Sequence, residues 1–114
     1  MDSITIRRLR PGRVLDGHVH DVLGFPEPVW PYSTHPNAKG RLRDWLKSKP
    51  VKLWLAGEGH ASDDCILEIA GNRRVSFEAV NENHALCLAV LLTDYQLKFG
   101  WKIPNVGFSG RLAD

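Results

Sequence analysis

The sequence lacks several features that would point to a particular class of protein. It has two cysteines, Cys65 and Cys87, and no CxxC pair, so a disulfide-rich scaffold is not expected. Both cysteines lie in apolar runs and are expected to be reduced core residues of a cytosolic protein, although a bond between them stays open. The N-terminus has no apolar stretch typical of a signal peptide, and the longest apolar run is too short to span a bilayer. We therefore expect a soluble protein with no membrane partner.

Net charge is also small. Fifteen Lys and Arg residues against thirteen Asp and Glu residues give +2, which does not call for nucleic acid as a partner. The cations are nevertheless concentrated in two segments. The N-terminal segment carries Arg7, Arg8, Arg10 and Arg13. A second segment carries Lys39, Arg41, Arg43, Lys47, Lys49 and Lys52 against one acid, Asp44. Such a cluster either attracts phosphate or an acidic protein surface, or is a solvated helix face.

Length and composition predict one domain. The chain has 114 residues, of which 43% are hydrophobic and 25% are charged, and this is enough for one core without crosslinks. We divide it into a basic N-terminal arm (1–11), a core (12–97) and a C-terminal tail (98–114). Trp101 and Phe108 indicate that the tail packs on something, and with a half-apolar sheet face they raise the hypothesis of a homodimer.

Two helices are predicted in the first half. Apolar residues at helical spacing predict a helix from Val14 to Leu23, ended by Gly24, with Asp16 and His20 on its outer face. The proline-rich stretch that follows cannot continue the helix, so it is an extended loop.

A second helix is predicted after this loop. Ser33 or Thr34 is its predicted N-cap, and Pro36 is tolerated in its first turn. Its buried stripe is predicted to be Ala38, Leu42, Trp45 and Leu46.

Alternating apolar residues predict three strands, over residues 51–56, 64–70 and 74–80. A three-residue Gly71-Asn72-Arg73 loop would pair Ile69 with Val75, which puts the apolar side chains on one face. That register also pairs Leu67 with Phe77 and Cys65 with Ala79. A last helix, capped by Asn81 or Asn83, is apolar nearly all round and is predicted to be the most buried element.

The predicted fold is therefore α+β. Its order is α-α-β-β-β-α, with a three-stranded antiparallel meander packed with three helices.

Three short motifs, in this order, resemble a known family. They are "RPGRVLDGHVHDVLGF" (10–25), "WPYST" (30–34) and "ENHALCLAVL" (82–91). They are similar to the opening helix, the "PYST" motif and the closing helix of the phage ABA sandwich domain family, and the resemblance spans about residues 10–96. One departure is His35, which stands where the family often has an acid. The matching positions of the opening helix are Gly12, Leu15, Asp16, Val19, Val22 and Gly24.

The resemblance implies an α-β-α sandwich and a small accessory protein of a bacteriophage or prophage that acts in the host cytoplasm. It implies no catalytic residue. We therefore expect a non-enzymatic protein that binds and modulates a host factor, with countering of host defence as the expected setting.

The best candidate site is the stretch around "WPYST". Its rings could stack on a base, and the N–H groups after Thr34 could hold a phosphate, so an alternative function is sequestration of a small nucleotide such as an immune second messenger. The competing interpretation is structural, with a ring covering the core edge and Ser33 or Thr34 capping a helix. The candidate ligand- or partner-binding residues are Trp30, Tyr32, Ser33, Thr34, His35, Lys39, Arg41 and Arg43.

Catalytic patterns are weak. Asp16 and His20 lie four residues apart and could form an acid–base pair or one corner of a metal site, which leaves a small metal-dependent hydrolase as a third hypothesis. His18 and His20 point about 200° apart on a helix and cannot chelate one metal. Ser33 has no G-x-S-x-G elbow around it. A zinc site would have to unite His60, His84 and Cys87, so we expect neither a metal nor a cofactor.

Overall fold

Four helices and three strands make up the described part of the chain. The computed structural model describes residues 2–58, 63–70 and 73–99. The helices are α1 (Ser3–Arg8), α2 (Arg13–Leu23), α3 (Lys39–Lys47) and α4 (Glu82–Phe99), with a 3-10 turn, Pro36–Ala38, before α3. The strands are β1 (Val51–Trp54), β2 (Cys65–Ile69) and β3 (Arg73–Phe77). The α+β class and the three-stranded antiparallel meander are as predicted, and one additional helix precedes them.

Helix α4 is the centre of the molecule. Its residues from Asn83 to Thr93 are all buried, and it contacts α1, α2, α3 and the middle strand β2. A helix that is apolar on every side must be surrounded in this way, as the sequence predicts. Within the described ranges, no helix combines the length and apolar character that crossing a bilayer requires.

The sheet presents one buried face to the helices. Cys65 pairs with Phe77 and Leu67 with Val75, and all four side chains are buried. The predicted register is wrong by two residues, because Ile69 pairs with Arg73. The turn begins one residue early, at Ala70, whose φ of 55° is left-handed. A shift of two keeps every side chain on its predicted face. The remaining residues of the predicted loop, 71 and 72, lie outside the described residues.

The N-terminal arm of the prediction is a helix. The Thr5 N–H donates to Asp2 Oδ1 at 2.8 Å, which caps α1, and Arg7 and Arg8 lie in its last turn. Ile6 is buried in the core, so the core begins before residue 12. The described end of α4 includes residues 98 and 99 of the predicted tail, while Trp101 and Phe108 lie outside the described residues.

The start of the second predicted helix also differs. Neither Ser33 nor Thr34 caps it. His35 is the residue before the 3-10 turn, and its Nδ1 accepts from the Asn37 N–H at 3.1 Å. The predicted stripe is otherwise confirmed, since Leu42 and Leu46 are buried and Trp45 is half-buried. Helix α2 ends as predicted at Gly24, with φ of 76°.

Candidate functional site

The centre of the "WPYST" segment is buried. The side chains of Tyr32 and Ser33 are 0% exposed, so neither can stack on or bind a ligand at the surface. The Tyr32 hydroxyl lies 2.9 Å from His20 Nδ1. Burial raises the pKa of Tyr32, which keeps its phenol neutral. Two of the predicted binding residues are therefore core residues.

Asp16 holds this segment from helix α2. It is buried, contrary to the prediction of an outer face, and its Oδ1 accepts from the Ser33 N–H at 2.8 Å. In return, Ser33 Oγ accepts from the Gly12 N–H at 2.9 Å. The two bonds join the start of α2 to the segment. Asp16 and His20 therefore serve different partners and do not form an acid–base pair.

Asn83 holds the same segment from helix α4. Its Nδ2 donates to the Tyr32 carbonyl at 3.1 Å and to the His35 carbonyl at 2.7 Å. Because Asn83 lies in the first turn of α4, the segment is fixed between two helices. We call the set Asp16, Tyr32, Ser33 and Asn83 the anchored corner.

Beside the anchored corner, Arg41 is stacked between two rings. Its guanidinium carbon lies 4.3 Å from the Trp30 ring centroid and 4.5 Å from that of Phe25. Glu27 forms an ion pair with it at 3.7 Å. Arg41 therefore covers one face of the Trp30 ring, which was predicted to stack on a base. Of the predicted set, Thr34 and His35 are exposed on this side.

The remaining cations form a stripe on the other side of α3. Lys39, Arg43 and Lys47 are four residues apart, so they share one side of the helix. Lys39 Nζ lies 3.4 Å from Glu82, and Arg43 binds the other oxygen of the same carboxylate. The hydrogen bond from Arg43 lowers the pKa of Glu82. Lys47 is exposed and makes no ion pair within the part of the chain that the structure describes.

A groove of about 150 Å³ lies at the end of this stripe, between α3, α4 and strand β1. Its floor is aliphatic and its rim carries two cations. We call it the basic groove, and its residues are Arg43, Leu46, Lys47, Val51, Leu53 and Leu86. Of these residues, the predicted binding set contains Arg43, and Lys47 was predicted only as part of the cationic segment. The four-residue spacing of Lys39, Arg43 and Lys47 was the available signal.

A second groove, of about 260 Å³, lies beside the C-terminal half of α4. His18 and Asp21 from α2 face Asp94 and Tyr95 from α4 across it. Among the described residues, no three His, Cys, Asp or Glu side chains are grouped so that they could hold a metal ion. His60, one of the three residues that a zinc site would have to unite, lies outside those residues.

The other two residues of that hypothetical zinc site, His84 and Cys87, are fixed in the core. His84 Nδ1 accepts from the Val80 N–H at 3.0 Å, and its Nε2 lies 2.8 Å from the Leu9 carbonyl, so the neutral ring carries its proton on Nε2. Burial lowers the pKa of His84. Burial also raises the pKa of Cys87 to about 12, so its thiol stays protonated at neutral pH. Cys65 and Cys87 are both free thiols.

Comparison with known proteins gives no relative: no protein-family model, no curated protein and no solved structure matches this chain. The resemblance to the phage ABA sandwich domain family therefore stays a prediction that depends on the three sequence motifs.

Proposed function

We propose that this protein is a non-enzymatic binding protein that recognises an acidic surface of a partner protein through the basic groove and the adjoining stripe of α3. The observation that carries the proposal is the arrangement of Lys39, Arg43 and Lys47 beside an aliphatic groove, where Glu82 pairs with two of these cations and Asp44 is the one acid of helix α3 itself. Three cations against these two carboxylates leave a surplus of one positive charge, and a positive surface attracts acidic partners and speeds their association.

The aliphatic floor distinguishes this surface from a solvated helix face. Leu46 and Leu86 lie beneath the two rim cations, and Val51 and Leu53 form the side wall. A partner that supplies both carboxylates and an apolar side chain would therefore gain charge pairing and apolar burial together.

The absence of catalysis is part of the proposal. The carboxylate of Asp16 and the ring of His20, the pair on which the hydrolase hypothesis depends, each bind a neighbouring residue in the core. A working site also needs a third, positioned group around a reacting atom. The buried thiol of Cys87 is protonated, so it offers no nucleophile.

The biological setting comes from the family resemblance. We propose an accessory protein of a phage or prophage that acts in the host cytoplasm on a host factor, with defence components as the expected targets. The nucleotide alternative would use the Tyr32 ring, which is buried, and the Trp30 ring, one face of which Arg41 covers. The proposal therefore places the partner on the basic groove.

The test is capture of a host protein by the purified full chain, followed by identification of what is bound. We expect an acidic protein that is lost as salt rises, because screening weakens exposed charge pairs. Lys47→Glu should abolish capture, whereas Arg8→Glu, which reverses an exposed cation on α1, should not. Equal capture by both variants would refute the proposal. A rise in melting temperature with cyclic nucleotides and no captured protein would support the nucleotide alternative.

A further inference from the structure

We propose that the free edge of strand β1 binds an extended acidic peptide segment as a fourth strand, with its apolar side chain in the basic groove. This inference rests on the proposed function and specifies the form in which the partner is recognised. Addition of a strand to a sheet edge takes affinity from backbone hydrogen bonds and specificity from the pockets beside the edge.

The pairing pattern shows which backbone groups are free. The Ala70 N–H donates to the Pro50 carbonyl at 2.7 Å, so that pair is hydrogen-bonded. Bonded and non-bonded pairs alternate in antiparallel sheets, so Lys52 and Trp54 also bond to β2. The backbone groups of Val51 and Leu53 therefore point away from β2, toward the free edge.

The same rule gives an internal check at the other edge of the sheet. It predicts that the Ser76 carbonyl of β3 points outward, and Arg7 Nη1 donates to that carbonyl at 3.3 Å. Helix α1 thus covers part of the β3 edge. Strand β1 is the opposite edge of the three-stranded sheet, and within the described ranges no further strand pairs with it.

Both ends of the β1 edge are closed. The Val51 N–H donates to the Lys49 carbonyl at 2.8 Å. At the other end, the Leu55 N–H donates to Glu58 Oε1 at 2.9 Å, and the Leu55 carbonyl accepts from the Glu58 N–H at 2.9 Å. Among the described residues, what remains is a window of three groups, the Val51 carbonyl and the Leu53 N–H and carbonyl. A short strand fits this window.

The side chains beside the window select the occupant. The basic groove lies on the helix side of β1, so an added strand would direct alternate side chains into it. Arg43 and Lys47 favour carboxylates there, and the aliphatic floor favours an apolar residue between them. On the outer face, the exposed Lys52 favours another acid in the cross-strand position. The segment that fits is therefore extended, acidic and interrupted by apolar residues.

A second copy of this chain fits less well. Pairing β1 with its own copy would bring Lys52, Arg43 and Lys47 close to the same three cations of the copy. Like charges in cross-strand positions are destabilising, and lysine on an edge strand is a common means of preventing such pairing. Charge complementarity therefore assigns the edge to an acidic partner.

The test uses the full chain and the five-residue peptide Glu-Glu-Leu-Glu-Glu, followed by amide NMR. In an added strand, its first, third and fifth side chains share the groove face and its second and fourth lie on the face of Lys52. We expect shift changes at Val51, Leu53 and the groove residues, with slower hydrogen exchange at the Leu53 amide. Methylating the peptide nitrogens that would face β1 should weaken binding about tenfold, because each lost backbone bond costs on the order of 1 kcal/mol. Replacing every Glu by Lys should abolish binding.

The outcomes separate the two proposals. If the methylated peptide binds as well as the unmodified one, the strand-addition inference is overturned while groove recognition stands. Absence of binding at millimolar peptide overturns it also, as does slow exchange at Leu53 that depends on protein concentration alone, since that result assigns the edge to a second copy. If Lys47→Glu binds the peptide as well as Arg8→Glu does, the proposed function fails with it.

Discussion

The anchored corner and the basic groove lie on opposite sides of α3 and differ in what their polar groups do. In the corner, Asp16 and Asn83 use their side chains to bind backbone groups of the "WPYST" segment, and Tyr32 and Ser33 are buried. In the groove, Lys47 and the edge of β1 keep polar groups that have no partner in the part of the chain that the structure describes. The conspicuous motif thus maintains the fold, and the surface suited to a partner lies where the sequence is unremarkable.

The physical reason is the need of irregular backbone for partners. Residues 28–35 form no helix or strand, so the buried N–H and C=O groups that turn hydrogen bonds do not satisfy have to find side chains. Asp16 and Asn83 meet that need and leave little for a ligand. A strand has the opposite property, because one side of an edge strand is unpaired until another strand arrives.

The largest expected effect on stability comes from removing one of the side chains that hold the "WPYST" segment. Asp16→Ala leaves the buried Ser33 N–H without its acceptor, and we expect a loss of about 1–3 kcal/mol in the free energy of unfolding. Asp16→Asn keeps an acceptor oxygen and should lose less. Urea denaturation measures both, with Asp21→Ala on the exposed face of α2 as control. A stable Asp16→Ala variant would show that the corner is free to take other roles.

His84 links helix α4 to the N-terminal segment through the Leu9 carbonyl, and its contribution to the free energy of unfolding depends on pH. Burial lowers its folded pKa below the ordinary 6.5, so the unfolded chain binds the proton more readily. The stability it contributes is complete above about pH 6.5 and is lost as pH falls toward the folded pKa. Unfolding measured between about pH 8 and pH 5 should show this loss. The dependence of the free energy of unfolding on pH should be weaker in His84→Gln and unchanged in His18→Gln. An equal dependence in both variants would show that His84 is not its source.

Comparing Arg41 with Arg43 distinguishes a cation that stabilises the fold from one that is proposed to bind a partner. Arg41→Ala removes two ring contacts, and we expect a loss of about 1 kcal/mol in the free energy of unfolding. Arg43→Ala removes an exposed ion pair with Glu82 and should cost less. Peptide binding should respond in the opposite order, since Arg43 lines the groove. If Arg41→Ala alone abolished peptide binding, the recognition surface would have to be moved to the corner.

Much of the fold follows from local pattern. Gly24 ends α2 because its φ of 76° suits glycine, and the alternation in β2 and β3 puts the right side chains inward even though the register is shifted. The missed elements depend on distant partners. Helix α1 has only six residues, so it depends on tertiary packing. Ile6 provides that packing, because it is buried in the core and α1 contacts α4, far along the chain.

The site was less predictable than the fold. Ser33 precedes a proline-containing turn, and local rules favour it as a helix cap. Its hydroxyl oxygen instead accepts a hydrogen bond from the Gly12 N–H, 21 residues away. The basic groove combines side chains from α3, β1 and α4, so no local motif contains it. The spacing of the cations indicated α3. Which of these cations is free to bind a partner depends on distant residues, because Glu27, Phe25 and Trp30 contact Arg41.

Lys47→Glu is expected to change stability least. It therefore best distinguishes residues that bind a partner from residues that maintain the fold. Lys47 is exposed and makes no ion pair within the described ranges, so the free energy of unfolding should change by no more than about 0.5 kcal/mol. Affinity for the Glu-Leu peptide should nevertheless fall about tenfold, because the reversed charge meets a carboxylate across the groove. Calorimetric titration beside urea denaturation measures both quantities on one sample. A variant that loses stability and affinity together would place Lys47 with the anchors, whereas loss of affinity alone assigns it to recognition.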